Sequence, residues 1–283
     1  MTSTRFEFTG EDGITLVAEA WGDPDNQPVI LSHGGGQTRH SWGGTAEDLA
    51  KQGWYAVAYD HRGHGESEWS EDALYDVAHF ALDMACLARS FNKTPVLVGA
   101  SLGGLAAMLG AGELEPTMCR AIVLVDVTPR LNHGGVQRIF DFMHEHIESG
   151  FGSLDEAAEA IAKYTGRPKR ANSSGLGKNL RERDGRLYWH WDPNFFAPRK
   201  TGQQNPNMIL DAASRIELPM LLIRGRASDV VTEQEVEEFL HAIPQARYVD
   251  VDKAQHMVAG DRNDIFTGAV IDFLQGLDSP PGG

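Results

Sequence analysis

The chain has 283 residues, 41% of them hydrophobic, and a formal net charge of −15. Enough apolar side chains are present for a substantial core, which excludes global disorder, and the length suits one large α/β domain or a core with a small insert. The negative surface repels nucleic acid and anionic membrane, and no apolar run reaches the ~18 residues of a transmembrane helix.

Residues 1–8 lack the basic-then-apolar pattern of a signal peptide. Cys86 and Cys119 sit in apolar stretches without metal-ligand spacing and read as free buried thiols of a reducing compartment. A cytoplasmic protein acting on a small molecule is expected, with homo-oligomerisation left open.

In chain order, residues 4–9 and 14–21 predict a hairpin around Gly10-Glu11-Asp12-Gly13. A buried strand over 28–32 runs into His33-Gly34-Gly35-Gly36, followed by a helix over 43–52 and a strand over 54–59. The loop Asp60-His61-Arg62-Gly63-His64-Gly65-Glu66-Ser67 leads to a helix over 72–91. Val96-Leu97-Val98 is a short strand, and residues 102–109 are apolar enough for a buried helix. Strands follow over 121–125 and 219–224, a helix over 233–242, a last strand over 246–251, and a last helix over 262–276. The tail 278–283 reads as a frayed end. This alternation argues for a mostly parallel sheet wrapped by helices.

The rhythm breaks between residues 127 and 213. Helical patterns occupy 135–149 and 154–164, a polar loop surrounds 166–179, and Tyr188, Trp189, Trp191, Phe195 and Phe196 follow. The expected organisation is a core of 1–126 and 214–283 carrying an inserted helical cap over 127–213. Open α/β sheets bind ligands at the C-terminal edge of their strands, so a cap there encloses a pocket. Trp189, Trp191, Phe195, Phe196, Phe140 and Met143 are its expected apolar lining, although some of these aromatics will form the cap's own core.

Gly99-Ala100-Ser101-Leu102-Gly103 matches G-x-S-x-G, a nucleophile elbow at a strand-to-helix turn. A serine hydroxyl is a weak nucleophile until a base takes its proton, so Ser101 needs a histidine and an orienting acid. In the order Ser, acid, His, the expected partners are Asp229 after the strand over 219–224 and His256 after the last strand. Asp126, after the strand over 121–125, is the alternative acid, and Asp252 lies too close to His256 in sequence to reach its ring easily. The backbone N–H groups of Leu102 and Gly35 are the expected oxyanion donors. The loop after residue 32 has neither the Lys-Ser/Thr of a P-loop nor a G-x-G-x-x-G pattern. His61 with His64 lacks a third ligand, and His144 with His146 lies on different helix faces, so no metal is expected.

The stretches "LSHGGGQTRHSW", "AYDHRGHGES", "GASLGG", "LLIRGRASD" and "QHMVAGDRNDIF" together resemble the α/β-hydrolase superfamily, in its capped esterase, lactonase, epoxide-hydrolase and cofactor-free perhydrolase branch. The resemblance spans nearly the whole chain and is weakest over 130–213, where caps diverge. It implies an α/β-hydrolase fold, a structural role for His61 and His64, and no cofactor. Epoxide hydrolases and haloalkane dehalogenases of this branch use an aspartate nucleophile, and Ser101 argues against both. Perhydrolases usually carry an aromatic residue where this chain has Gly35. The resulting expectation is a serine hydrolase of carboxylic esters or lactones, with perhydrolysis, C–C bond hydrolysis, or a slow-turnover ligand receptor as alternatives.

Overall fold

Eight of the strands pair into one sheet in a computed structural model that describes residues 2–166, 168–169, 174–196, 207–252, 254–256 and 263–277. The tail 278–283, the start of the last expected helix, and part of the 166–179 loop lie outside the described residues. In chain order these strands are β1 (Thr4–Thr9), β2 (Thr15–Trp21), β3 (Gln27–Ser32), β4 (Trp54–Tyr59), β5 (Val96–Ala100), β6 (Ala121–Val125), β9 (Met220–Gly225) and β10 (Arg247–Val251). Their spatial order is β1-β2-β4-β3-β5-β6-β9-β10, with β1 and β2 antiparallel and every pair from β4 onward parallel.

The inner strands are apolar along their length because both faces are covered. Ile30, Val57, Leu97, Ile122 and Leu222 face one layer, and Val29, Ala56, Val98, Val123 and Leu221 face the other. The first layer is built from α2 (Val77–Arg89), α3 (Leu102–Leu109) and α7 (Glu233–Ala242), through Phe80, Met84, Ala106, Val236 and Phe239. The second is built from α1 (Gly43–Lys51) and α8 (Thr267–Leu277), through Leu49, Val270 and Leu274. Among the described residues no helix is long and apolar enough to cross a membrane.

Between β6 and β9 lie α4 (His133–His144), α5 (Leu154–Thr165), a hairpin of β7 (Leu180–Arg183) and β8 (Arg186–Trp189), and α6 (Met208–Ala213). The hairpin departs from the expected helical cap. Its signal was the Asp-Gly pair: Asp184 and Gly185 both take positive φ (53° and 74°), as a two-residue turn matched to strand twist requires. The helix expected over 135–149 stops at His144, and His146 turns left-handed at φ 68°. Although it falls in the same stretch, α6 packs on the core. A Cβ on Gly112 would come within 2.1 Å of the Ala212 carbonyl oxygen.

Arg62 secures the loop after β4. Its fully buried guanidinium donates through Nε and Nη2 to Asp83 on α2, both at 2.7 Å, and reaches the Glu11 and Leu74 carbonyls. Removing one member of a buried pair strands the other charge. Arg62→Leu is therefore expected to cost about 3–5 kcal/mol in urea unfolding. The Arg62→Leu/Asp83→Leu double variant should recover much of that loss; a single variant as stable as the wild type would refute the account.

Candidate active site

Ser101 stands where β5 becomes α3, at φ 46° and ψ −114°. A serine adopts that backbone only when its surroundings impose it, and such strain collects at functional turns. The flanking glycines permit the turn. A Cβ on Gly99 would lie 2.6 Å from the Gly103 carbonyl carbon, and one on Gly103 would lie 2.5 Å from the Ser32 oxygen.

The adjacent strands contribute the other groups. Asp126, at the end of β6, also has positive φ (52°), which turns its carboxylate into the site. His256 Nδ1 lies 2.7 Å from Asp126 Oδ2, and both side chains are 3% exposed. The Gly225 N–H donates to Asp126 Oδ1 at 3.0 Å, and the Ser228 hydroxyl donates to Oδ2 at 2.7 Å. An acceptor-only carboxylate facing Nδ1 places the ring proton there and leaves Nε2 free to act as a base.

Asp229 was the expected acid, and the structure puts it elsewhere. Its carboxylate forms a two-pronged pair with Arg138 on α4, at 2.7 and 2.8 Å, and is about half exposed. The loop after β9 turns Ser228 inward and Asp229 outward, so Asp126 meets the histidine. Asp252 is likewise directed away, paired with Arg226 at 2.7 Å. Sequence reasoning missed Ser228, whose signal was its place beside a candidate acid at a strand end.

The loop Gly34-Gly35-Gly36 lies against Ser101: a Cβ on Gly34 would approach the Ser101 Cβ to 3.2 Å. The Gly36 N–H donates to His64 Nε2 at 3.2 Å and the Gly34 N–H to Gln37 Oε1 at 2.9 Å. Among the described residues no acceptor takes the N–H of Gly35 or of Leu102. Leu102 follows Ser101 in the chain and Gly35 follows the glycine that approaches it, so both N–H groups are candidate oxyanion donors.

Under this loop sit four buried histidines. His33 and His61 contact edge-to-face at 4.4 Å, and His64 lies 5.7 Å from His190. Burial pushes His33 down to about 4 and His64 down to about 3, with neighbouring positive groups adding to the effect. Burial also holds His61 and His190 well below the ordinary histidine value. Each ring is anchored to backbone: His33 Nδ1 donates to the Gly34 carbonyl (2.7 Å), His61 Nε2 to the His33 carbonyl (3.0 Å), and His64 Nδ1 to the Arg62 carbonyl (3.1 Å). These bonds fit the structural role expected of His61 and His64. Among the described residues no group of three or more His, Cys, Asp or Glu is arranged to hold a metal ion.

The six side chains expected to line a pocket separate into three groups. Met143 and Phe195 approach the glycine loop, with Met143 Cε 4.0 Å and Phe195 Cζ 3.9 Å from a Cβ built on Gly35. Trp189 and Trp191 stack at 4.9 Å within the inserted segment's own cluster, beside Phe142 and Phe151. Trp191 still touches the loop, its ring 3.4 Å from a Cβ on Gly36. Phe140 and Phe196 meet edge-on at 5.9 Å, and Phe140 is 42% exposed.

Known proteins agree with this architecture. Residues 27–262 match the family model for the alpha/beta hydrolase fold. A 3-hydroxybutyrate-oligomer hydrolase of Cupriavidus necator is 29% identical over 256 residues, covering 85% of this chain and 86% of the relative. An esterase of Mycobacterium tuberculosis is 31% identical over 274 residues, covering 93% and 86%. A crystal structure of that esterase superposes with a TM-score of 0.75 at 28% identity, covering 98% of this chain and 92% of the other. An alpha/beta hydrolase from Novosphingobium aromaticivorans superposes at 0.76 with 24% identity, covering 96% and 98%. The chain belongs to the α/β-hydrolase family.

The neutral histidines tie stability to pH. Unfolded histidines take up protons below pH ~6.5, whereas the folded chain resists until about pH 4 for His33 and about 3 for His64. Between those limits the unfolded state binds more protons, so stability rises with pH, by up to about 1.4 kcal/mol per pH unit for each histidine. Urea midpoints are expected to climb from pH 5 to pH 6.5 and level off above it. Equal midpoints at pH 5 and 7 would contradict neutral burial.

Proposed function

We propose that this protein is a serine hydrolase of carboxylic esters, working through an acyl-enzyme with Ser101, His256 and Asp126 as its triad. The carrying observation is the buried 2.7 Å pair of His256 Nδ1 and Asp126 Oδ2, at the end of the strand whose Val125 carbonyl accepts from the N–H of Ser101 in its strained elbow. The esterase and oligomer-hydrolase names borne by the two relatives support the same reading.

In this mechanism Ser101 Oγ attacks the ester carbonyl carbon while His256 Nε2 takes its proton. Asp126 holds the ring orientation and stabilises the imidazolium. Negative charge develops on the carbonyl oxygen, and the N–H groups of Gly35 and Leu102 receive it. As the intermediate collapses, His256 returns the proton to the leaving alkoxide. Water then attacks the acyl-serine by the same proton route. A lactone is an internal ester whose leaving alkoxide stays attached, so the same steps serve it.

Ser101→Ala is expected to abolish ester hydrolysis and fluorophosphonate labelling with the fold intact. Asp126→Asn should lower kcat by roughly 10³–10⁴, as for loss of the acid in other triads. Asp229→Asn should stay within about threefold, since its partner is Arg138. A mutant lacking Ser101 that keeps a tenth of the activity, or a larger loss at Asp229 than at Asp126, would refute the assignment.

Met143 and Phe195, close to Gly35, supply an apolar wall for the acyl group. Each buried methylene adds about 0.8 kcal/mol. The ratio kcat/KM is therefore expected to rise over several acyl carbons and then fall. Phe195→Ala should flatten that rise and spare acetyl esters; an unchanged chain-length profile would show that these side chains serve packing alone.

A further inference from the structure

Among the described residues the Gly34-Gly35-Gly36 backbone is hydrogen-bonded at the N–H and carbonyl of Gly34 and of Gly36, and at neither polar group of Gly35. The Gly34 N–H is bound to the Gln37 amide oxygen, and the Gly34 carbonyl accepts from His33 Nδ1 and the Gln37 N–H. The Gly36 N–H is bound to His64 Nε2. All of these partners come from the loops after β3 and β4. The Gly36 carbonyl is different. Its partner is His190, which donates from Nε2 at 3.3 Å and lies immediately after β8, 154 residues away in sequence.

The His190 ring is fixed at both ends. Nδ1 accepts from the Gly65 N–H at 2.7 Å, which puts the ring proton on Nε2 and makes that atom the donor to Gly36. The side chain is buried, and no part of the triad chemistry uses it. Other ties seat the hairpin on the same loop. The Asp192 N–H donates to the Gly63 carbonyl at 2.8 Å, the Tyr75 hydroxyl donates to Asp192, and Arg181 Nη2 donates to the Gly65 carbonyl. None of these reaches residues 34–36. Gly36 sits at φ +75°, and a run of three glycines has no side chains to restrict its peptide planes. The Gly36 carbonyl shares its peptide plane with the Gln37 N–H, which donates to the Gly34 carbonyl at 3.1 Å. That carbonyl shares its plane with the Gly35 N–H, so an outside bond to the Gly36 carbonyl steadies the Gly35 N–H through these two planes.

We propose that His190 is a positioning residue of the oxyanion hole. By holding the Gly36 carbonyl it keeps the Gly35 N–H aimed at the reacting carbonyl, so docking of the β7–β8 hairpin completes the hole. The inserted segment thereby supports the chemistry as well as substrate choice. This rests on the serine-hydrolase reading above.

The test compares His190→Phe, which keeps a planar ring without a donor, with His190→Gln, which keeps an amide donor at similar reach. Steady-state hydrolysis of p-nitrophenyl butyrate and amide hydrogen exchange over residues 33–37 are the two readouts. For His190→Phe, kcat is expected to fall on the order of tenfold to a hundredfold, as for a misplaced oxyanion donor, with KM within about threefold. Exchange over 33–37 should quicken, and His190→Gln should restore both to within about threefold of wild type. Arg181→Met, which cuts a neighbouring tie and spares Gly36, should keep kcat within about twofold.

Wild-type kcat and exchange in His190→Phe would overturn the proposal, as would an equal loss in Arg181→Met. If His190→Phe does not fold, the same two readouts on His190→Met decide the matter. Ser101→Ala run in parallel separates the two levels. Activity surviving that change overturns both readings, whereas activity lost there but kept in His190→Phe overturns this one alone.

Discussion

The close approach of backbone to backbone at the β5–α3 turn constrains everything around it. Gly99 and Gly103 leave room for Ser32 and for the first turn of α3, and Ser101 is thereby held at a φ its own side chain disfavours. The sheet must supply rigid neighbours to sustain that turn, and β3 and β6 do so on either side of β5. With the serine fixed at the strand end, the acid, the histidine and the glycine loop all come from the same edge. Preorganisation of this kind is what lets fixed dipoles act on developing charge without rearranging.

Buried polarity organises the second half of the site. Four histidines under the glycine loop would be costly if charged, and each stays neutral with a ring nitrogen bonded to backbone. Arg62, Asp83 and Asp60 handle the charged part of the same loop. Asp60 accepts from the Arg39 backbone N–H at 2.7 Å and also pairs with the Arg39 guanidinium. The loop over residues 60–67 thus lies between the glycine loop and the inserted hairpin, bonded to both. It is short and polar, yet it carries the mechanical link between the two.

Most of the core architecture was legible because its signals are local. Apolar runs of strand length, a glycine-flanked serine and short connections mark α/β units without knowledge of their neighbours. The inserted segment was less legible. The helical patterns over 135–149 and 154–164 suggested a helical cap, and the hairpin was overlooked although Asp184-Gly185 is a strong turn signal. The end of α4 at His144 has no glycine or proline to announce it. The six expected lining residues also divided, since burial in the segment's own cluster and approach to the glycine loop depend on packing rather than spacing.

By itself, the sequence determined the α/β class, the elbow at Ser101, the histidine after the last strand and the glycine loop, because each is written in contiguous residues. Which carboxylate serves His256 was decided only in three dimensions. Asp126 and Asp229 both follow strands that lie side by side at the same sheet edge, and period and spacing treat them alike. The positive φ at Asp126 turns one carboxylate inward, where Gly225 and Ser228 donate to it. Arg138, from a helix of the inserted segment, draws the other outward. That choice depends on the direction of two side chains at neighbouring strand ends, a property of the packed structure that no local pattern records.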